Sequence, residues 1–379
     1  MSQSELLEHA RYLRDTQKLA AYGRALTQLV KPTDVVLDLG AGTGLLGLLA
    51  ARAGAAKVYL LDGGPILGVA EEVAIRNGLG DRVVAVRALS QEVVLPEPVD
   101  LVVCDQIGGF VYDAGVLDYF ADARSRLLRP GGHLVPGAFT LRCAPVNAPG
   151  PRREVDVWAT RPANLDLGAV HDRAINTEWR VEADDVRTLT DAQTVGRLPA
   201  WSTERLTAEL SFTFDRPDTV DGLLGWFDAD LAPGVTLSND PNAADRMDRW
   251  CNFYPLTAPC EVAAGDTLEV SLDVRPDPGI VSWTTRWRRG DRSLGRWRQS
   301  TVLGQFLGPE DVVNASRQEL ITTARGHALV SALELLDGTR TAEAAIGQVL
   351  EDHSDAFPDR GRGRAVLRHE LGKWARAAR

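Results

Sequence analysis

The sequence predicts an α/β chain in three parts: a parallel-sheet domain covered by helices on both faces, an antiparallel β domain, either a barrel or a sandwich, and a small helical module. Three observations predict it. Between residues 35 and 137, short apolar runs alternate with segments of helical period, the order that builds a parallel sheet. From about 138, runs of alternating apolar and polar residues are separated by turn residues, as in antiparallel β structure. From 305 onwards helical spacing returns. With 379 residues, 44% hydrophobic and 25% charged, the chain has room for two or three cores and is globular.

The first domain is organised around Val35–Gly54. Val35-Val36-Leu37-Asp38-Leu39 reads as a buried strand, Gly40, Gly42 and Gly44 as a tight turn, and Leu45–Ala53 as a helix. Glycines in such a turn let a ligand approach the backbone, and the helix N-terminus offers unpaired N–H groups. A second apolar run, Lys57–Leu61, ends at Asp62, a carboxylate placed to accept from both hydroxyls of a ribose. The glycines can be read in two registers. Gly42-x-Gly44-x-x-Gly47 fits a dinucleotide fingerprint, but Leu39-Gly40-Ala41 would then separate the strand from its first glycine. Gly40-x-Gly42-x-Gly44 leaves Asp38 near the strand end, where it can receive an ammonium group.

The other elements follow in order. Leu6, Leu7, Tyr12, Leu13, Leu19, Leu26 and Val30 predict one helix over about 5–31, closed by Pro32. Helices near 65–77 and 116–128 alternate with strands at Val83–Val86, Val99–Cys104 and His133–Val135, and the domain closes near Gly137, giving 1–137. The antiparallel domain spans 138–304, with strands such as Thr140–Cys143, Leu210–Phe214 and Thr267–Leu272; residues 160–200 are less regular and read as an arm or insertion. Ser282–Ser300 sets Trp283, Trp287 and Trp297 among six arginines around a Gly290-Asp291 turn. This hairpin offers either a basic aromatic surface for an acidic partner or a solvated face over inward-turned tryptophans. In 305–379, helical patterns run through Leu329, Leu333 and Leu336, then Ala345, Ile346, Val349 and Leu350, then Val366, Leu367, Leu371 and Trp374, with room for a β-wing. Asp359–Arg379 carries seven basic residues against two acidic ones, a local excess that would attract an acidic peptide segment.

Composition excludes several classes. A formal net charge of −10 argues against general nucleic-acid binding. Cys104, Cys143, Cys251 and Cys260 form no C-x-x-C pair, and six histidines show no ligand spacing, so no metal is expected. The start lacks a basic and apolar signal, and no run reaches membrane-spanning length, so a cytoplasmic protein with no membrane partner is expected.

Residues from about 5 to 300 resemble the protein arginine methyltransferases. The resemblance is carried by Val36–Gly54, Lys57–Asp62, Val99-Asp100-Leu101-Val102-Val103-Cys104-Asp105-Gln106-Ile107-Gly108-Gly109, Leu127–Pro136 and Gly225-Trp226-Phe227-Asp228-Ala229-Asp230-Leu231. It implies a Rossmann-like class I methyltransferase domain, a β-barrel interrupted by a dimerisation arm near 160–200, a homodimer, and S-adenosyl-L-methionine as cofactor with S-adenosyl-L-homocysteine as product. By resemblance, Asp38, Gly40 and Gly42 line the methionine end, Asp62 takes the ribose, Ser90 and Gln91 meet the adenine, and His9 and Lys18 stand near the cofactor, Lys18 at its carboxylate. The family holds a guanidinium between two glutamates. Here Asp105 and Asp113 stand in their places, each shorter by one methylene and closer by one residue. The family's Thr-His-Trp loop becomes Asp248-Arg249-Trp250, so Arg249 replaces the histidine and Trp250 remains.

Leu335-Leu336-Asp337-Gly338-Thr339-Arg340-Thr341 and the helix after it resemble the winged-helix modules of PqqD type, which bind leader peptides. The resemblance implies a peptide substrate from ribosomal peptide natural-product biosynthesis, of the daptide-like kind. The expected function is S-adenosylmethionine-dependent N-methylation of a peptide amine. Methylation of protein or free arginine is the alternative, and a non-catalytic peptide-binding scaffold is a third reading.

Overall fold

The apolar runs of the first domain become strands β1 (Val35–Leu39), β2 (Lys57–Leu61), β3 (Val83–Val86), β4 (Val99–Val103) and β5 (Leu128–Val135). They pair in parallel in the order β3-β2-β1-β4-β5. Helices α1 (Gln3–Arg14), α2 (Thr16–Leu29), α3 (Leu45–Ala53), α4 (Leu67–Arg76) and α5 (Val116–Arg126) accompany them, making a Rossmann-like unit. Val36, Leu37, Leu101, Val102 and Val103 are fully buried, which is why β1 and β4 read as apolar runs interrupted only by Asp38 and Asp100. The strand order reverses between β1 and β4, so a crevice opens beyond their C-terminal ends. The single helix expected over 5–31 is two helices. Asp15 leaves the helical path (φ −75°, ψ 80°) and caps α2, its carboxylate accepting from the Lys18 N–H at 2.9 Å.

The structure is a computed structural model and describes residues 3–277, 279–305, 323–357 and 359–374, in two compact units, 1–306 and 307–379. After the parallel sheet, the first unit continues through β6 (Ala138–Asn147), α6 (Pro149–Asp156), α7 (Gly168–Ala174), β7 (Trp179–Val181), β8 (Arg187–Thr188) and β9 (Gln193–Pro199). It ends with β10 (Leu206–Thr213), β11 (Asp218–Ala232), β12 (Val235–Ser238), β13 (Cys251–Val262), β14 (Asp266–Arg275), β15 (Ile280–Arg289), β16 (Arg292–Ser300) and α8 (Thr301–Gly304). One antiparallel sheet runs β10-β14-β15-β16; the other runs β7-β13-β11-β6-β8, with β12 on β11 and β9 on β6. The arm expected at 160–200 is redrawn. Residues 179–181 and 193–199 are sheet strands, with Val181, Val195 and Leu198 buried, so the inserted helical segment lies between β6 and β7.

The arginine-rich hairpin takes the solvated form. Trp283 is buried and its Nε1 donates to Gln299 at 3.1 Å; Trp287 Nε1 donates to Asp266 at 3.0 Å. Arg289 forks onto the same Asp266 at 2.7 and 2.8 Å and holds its carboxyl far below the usual range, while Arg286 donates to Glu269 at 3.2 Å. The hairpin's cations are thus partly neutralised by its own sheet.

In the second unit, α9 (Ala324–Glu334), α10 (Ala342–Asp352) and α11 (Arg360–Trp374) close over Ala328, Ile346, Val349, Leu350, Phe357, Leu367 and Leu371. The hydroxyls of Thr323 and Thr341 cap the first two helices. No strand occurs among the described residues of this unit, and a wing over 306–322 would fall outside them. The basic excess of α11 is smaller than its formal count: Arg364 and Arg368 pair with Glu343, and Arg360 lies 3.6 Å from Glu351. Among the described residues, no helix is long and apolar enough to cross a membrane, and no cluster of His, Cys, Asp or Glu could hold a metal.

Candidate active site

The crevice at the strand-order reversal is lined by His9, Tyr12, Lys18, Asp38, Gly40, Gly42, Asp62, Asp105 and Gln106, among others. Six of the eight residues expected at a cofactor therefore converge. Gly40 takes φ +74°, which the turn needs to send its N–H back to the Leu61 carbonyl at 2.9 Å. Asp62 ties this turn to the end of β2: its Oδ2 accepts from the Gly42 N–H at 2.9 Å and its Oδ1 from the Gly64 N–H at 2.6 Å. The His9 ring packs over Gly42, 3.0 Å from where a Cβ would stand.

Asp38 is buried at the end of β1, and its Oδ2 accepts from the Gly47 N–H at 2.7 Å. Burial pushes its carboxyl up to about 7. No cation lies within ion-pair distance of it among the described residues, so a desolvated carboxylate faces the crevice uncompensated. That is the anionic acceptor an amino-acid ammonium needs, and it fits the methionine end of S-adenosylmethionine.

Lys18 is 2% exposed, and its Nζ donates to Asp105 Oδ2 at 2.6 Å and stands 4.5 Å from the Tyr12 ring. Asp105 follows β4, and its carbonyl accepts from Arg249 Nη2 at 3.2 Å. Arg249 is buried and lies 5.3 Å from the Tyr12 ring and 5.1 Å from the Trp250 ring. Arg249 and Trp250 do not line the crevice; Arg249 meets it through Tyr12 and Asp105, and Trp250 packs behind Arg249. The loop that carries them is pinned to the N-terminal helices. Arg11 bridges Glu182 and Asp248 at 3.0 Å each, and the Asp248 N–H donates to Asp15 at 2.8 Å.

Two expectations change. Asp113 lies outside the crevice lining, and its Oδ2 accepts from the Gly109 N–H at 3.0 Å and its Oδ1 from the Phe110 N–H at 3.1 Å. A side chain one methylene shorter than glutamate reaches its own loop backbone and fixes that loop. Ser90 and Gln91 also lie outside the crevice lining; Ser90 is buried with its carbonyl accepting from Arg126 at 2.5 Å, and Gln91 is exposed. Four residues escaped the sequence reading: Tyr12, Asp15, Gln106 and Glu178. Asp15-Thr16 carried a helix-cap signal that could have been found. Glu178 carried none, because only the pairing of β7 with β13 brings it to the 105–113 loop.

Residues 20–138 match the family model for Ribosomal protein L11 methyltransferase (PrmA). The chain is similar to an Arginine N(omega)-methyltransferase of Streptomyces achromogenes subsp. streptozoticus, 30% identical over 274 residues that cover 70% of this chain and 75% of the relative. It is also similar to Probable protein arginine N-methyltransferase 6 of Arabidopsis thaliana, 33% identical over 153 residues, 40% of this chain and 35% of the relative. Among solved structures, the Trypanosoma brucei PRMT1 enzyme-prozyme heterotetrameric complex with AdoHcy superposes with a TM-score of 0.68 at 21% identity, covering 77% of this chain and 96% of that one. Arabidopsis thaliana Protein Arginine Methyltransferase 10 gives a TM-score of 0.65 at 20% identity, over 78% and 98%. These two share the fold. A non-catalytic scaffold is set aside by this kinship: the chain belongs to the arginine N-methyltransferase family, and it is an S-adenosylmethionine-dependent N-methyltransferase.

Proposed function

We propose that the methyl acceptor is an amine nitrogen of a peptide. The observation that carries this reading is the commitment of both Asp113 oxygens to loop N–H groups, which leaves Asp105 as the acceptor-side carboxylate of the crevice. A forked guanidinium is clamped by two carboxylates that both stay ionised; a compact amine is anchored by one and needs a second group only as a base. When bound, S-adenosylmethionine supplies an electrophilic methyl group. Asp38 receives its ammonium, Lys18 its carboxylate, and Asp62 its ribose hydroxyls. Asp105 takes an acceptor N–H and turns the nitrogen lone pair toward the crevice, an alignment that supplies much of the catalysis in a displacement reaction.

Methylation of arginine is the second reading, favoured by the Streptomyces relative named for that activity. Steady-state kinetics separates the two. A peptide with one free amine and no arginine is expected to give the higher kcat/KM, compared with an acetylated peptide whose nucleophile is arginine; the reverse order overturns the amine reading. The same proposal takes the protein as a cytoplasmic homodimer joined through the inserted helical segment, where Val157, Trp158 and Leu165 are exposed. It also takes 307–379 as the module that holds a leader peptide.

Two cofactor predictions follow from the geometry. Asp62→Ala is expected to weaken S-adenosylmethionine binding by about 1.5–3 kcal/mol, the range for hydrogen bonds to a charged group; unchanged affinity by calorimetry would place the ribose elsewhere. Asp38 sets a pH dependence. Its carboxyl, raised to about 7, is half protonated at neutral pH, and an ammonium favours the ionised form. Affinity should therefore rise as pH goes from 6 to 8, by up to roughly tenfold per unit below the shifted value. The apo fold runs the other way, since a carboxyl raised in the folded state loses stability as pH climbs from the ordinary carboxylate range to 7. Asp38→Asn should flatten the affinity profile, and an unaltered profile in that variant would assign the titration to another group.

A further inference from the structure

We infer that Glu178 is the base that takes the proton from the acceptor ammonium. This rests on the amine reading above. An ammonium has no lone pair to accept a methyl group, so the enzyme must remove a proton first, and the carboxylates of the 105–113 loop already have other tasks. Asp105 is bonded to Lys18, and Asp113 to two backbone N–H groups.

Glu178 closes the other end of the loop that begins at Asp105. Its Oε2 accepts from the Tyr112 hydroxyl at 2.6 Å and from Asn252 Nδ2 at 3.3 Å, and the Tyr254 hydroxyl stands 3.4 Å away. The two tyrosine hydroxyls are 2.5 Å apart. All three contacts fall on Oε2, so Oε1 has no protein partner among the described residues. Phe253 of β13 pairs with Trp179 of β7, so the stretch from Trp250 to Tyr254 runs alongside Glu178 and back toward Arg249 and Asp105. On this stretch Trp250 Nε1 and Asn252 Oδ1 are buried without a partner, and Asn252 is only 1% exposed. Native structures rarely leave such atoms unpaired, and each one asks for an explanation. Here both atoms pack against Gly109, 2.2 Å (Asn252 Oδ1) and 2.8 Å (Trp250 Nε1) from where a Cβ would stand, so this stretch is fitted tightly to the 105–113 loop that carries Asp105. Burial, with the charge of Asp113 facing it, lifts the Glu178 carboxyl above the usual range, in the direction a base needs. Its other neighbours, Tyr112, Tyr254 and Asn252, are neutral.

The proton moves from the ammonium to Glu178 Oε1. The freed lone pair takes the methyl group, and the bonding pair stays with the leaving thioether. The proton on Glu178 then passes to water.

The test uses full-length enzyme, saturating S-adenosylmethionine, and a tripeptide amide with one free terminal amine as probe, from pH 6 to 10. Glu178→Gln should lower kcat about 10²-fold at neutral pH, with melting temperature and S-adenosylmethionine affinity unchanged. Its rate should climb toward wild type at high pH, where the amine loses its proton unaided. Glu178→Ala should recover rate on addition of formate, and calorimetry with S-adenosylhomocysteine present should show the probe still binding both variants. A kcat within about twofold of wild type in Glu178→Gln overturns the inference, as does a loss that is flat across pH and unmoved by formate. Asp105→Asn in the same assay separates the two layers. If it alone is inactive, Glu178 is removed and the amine reading stands. If it turns over normally, or if no amine is methylated by wild-type enzyme, the amine reading falls and this inference with it.

Discussion

Asp105→Asn is expected to lower turnover about 10²-fold or more while leaving S-adenosylmethionine affinity little changed. The substitution keeps the shape of the side chain and removes its charge. An asparagine oxygen can still accept from Lys18 Nζ, now 2.6 Å from Asp105 Oδ2, so the polar contact survives while the acceptor loses its anion. Lys18 is 2% exposed, and breaking a buried pair outright typically costs 3–5 kcal/mol, so the melting temperature must be read beside the rate. A rate loss with a preserved fold assigns Asp105 to the acceptor. Near-normal turnover removes it from the mechanism. Asp113→Asn is a different case: one of its two backbone acceptors becomes a donor, so it acts by loosening the 105–113 loop and should be read first in stability.

Deleting residues 305–379 is expected to raise the apparent KM for a full-length precursor peptide about 10²-fold, while sparing slow reaction on the isolated acceptor end. Among the described residues, the buried clusters of 1–306 draw on none beyond Trp283, so the truncated enzyme should fold and bind S-adenosylmethionine. Tethering a peptide supplies an effective concentration near millimolar for short flexible linkers, and its loss is felt as affinity rather than as chemistry. The paired state of Arg364 and Arg368 with Glu343 narrows where an acidic segment would bind, since those cations already have an anion. Equal precursor kinetics for the truncated and intact enzymes would show that the module plays no part in recognition.

The parallel sheet was legible in the sequence because β1 and β4 are buried on both faces and therefore read as short, mainly apolar runs, each carrying a single aspartate. The glycine turn was legible because Gly40, at φ +74°, has a conformation that other residues avoid. The break at Asp15 was legible only as the Asp15-Thr16 cap signal, because the apolar positions on either side keep nearly one helical phase across it. The inserted segment was misplaced for a related reason: β7 and β8 are three and two residues long, too short to show an alternating pattern. The acceptor side was least legible. Which way Asp113 turns is decided by a single methylene and two loop N–H groups, and Glu178 arrives through strand pairing from a distant segment.

Tandem mass spectrometry of a peptide incubated with the enzyme and methyl-labelled S-adenosylmethionine tests the central claim most directly. The peptide should carry both a free terminal amine and an internal arginine, so that the two nitrogens compete in one molecule. Label on the amine, with the arginine unmodified, is the predicted result. Label on the guanidinium alone would contradict it.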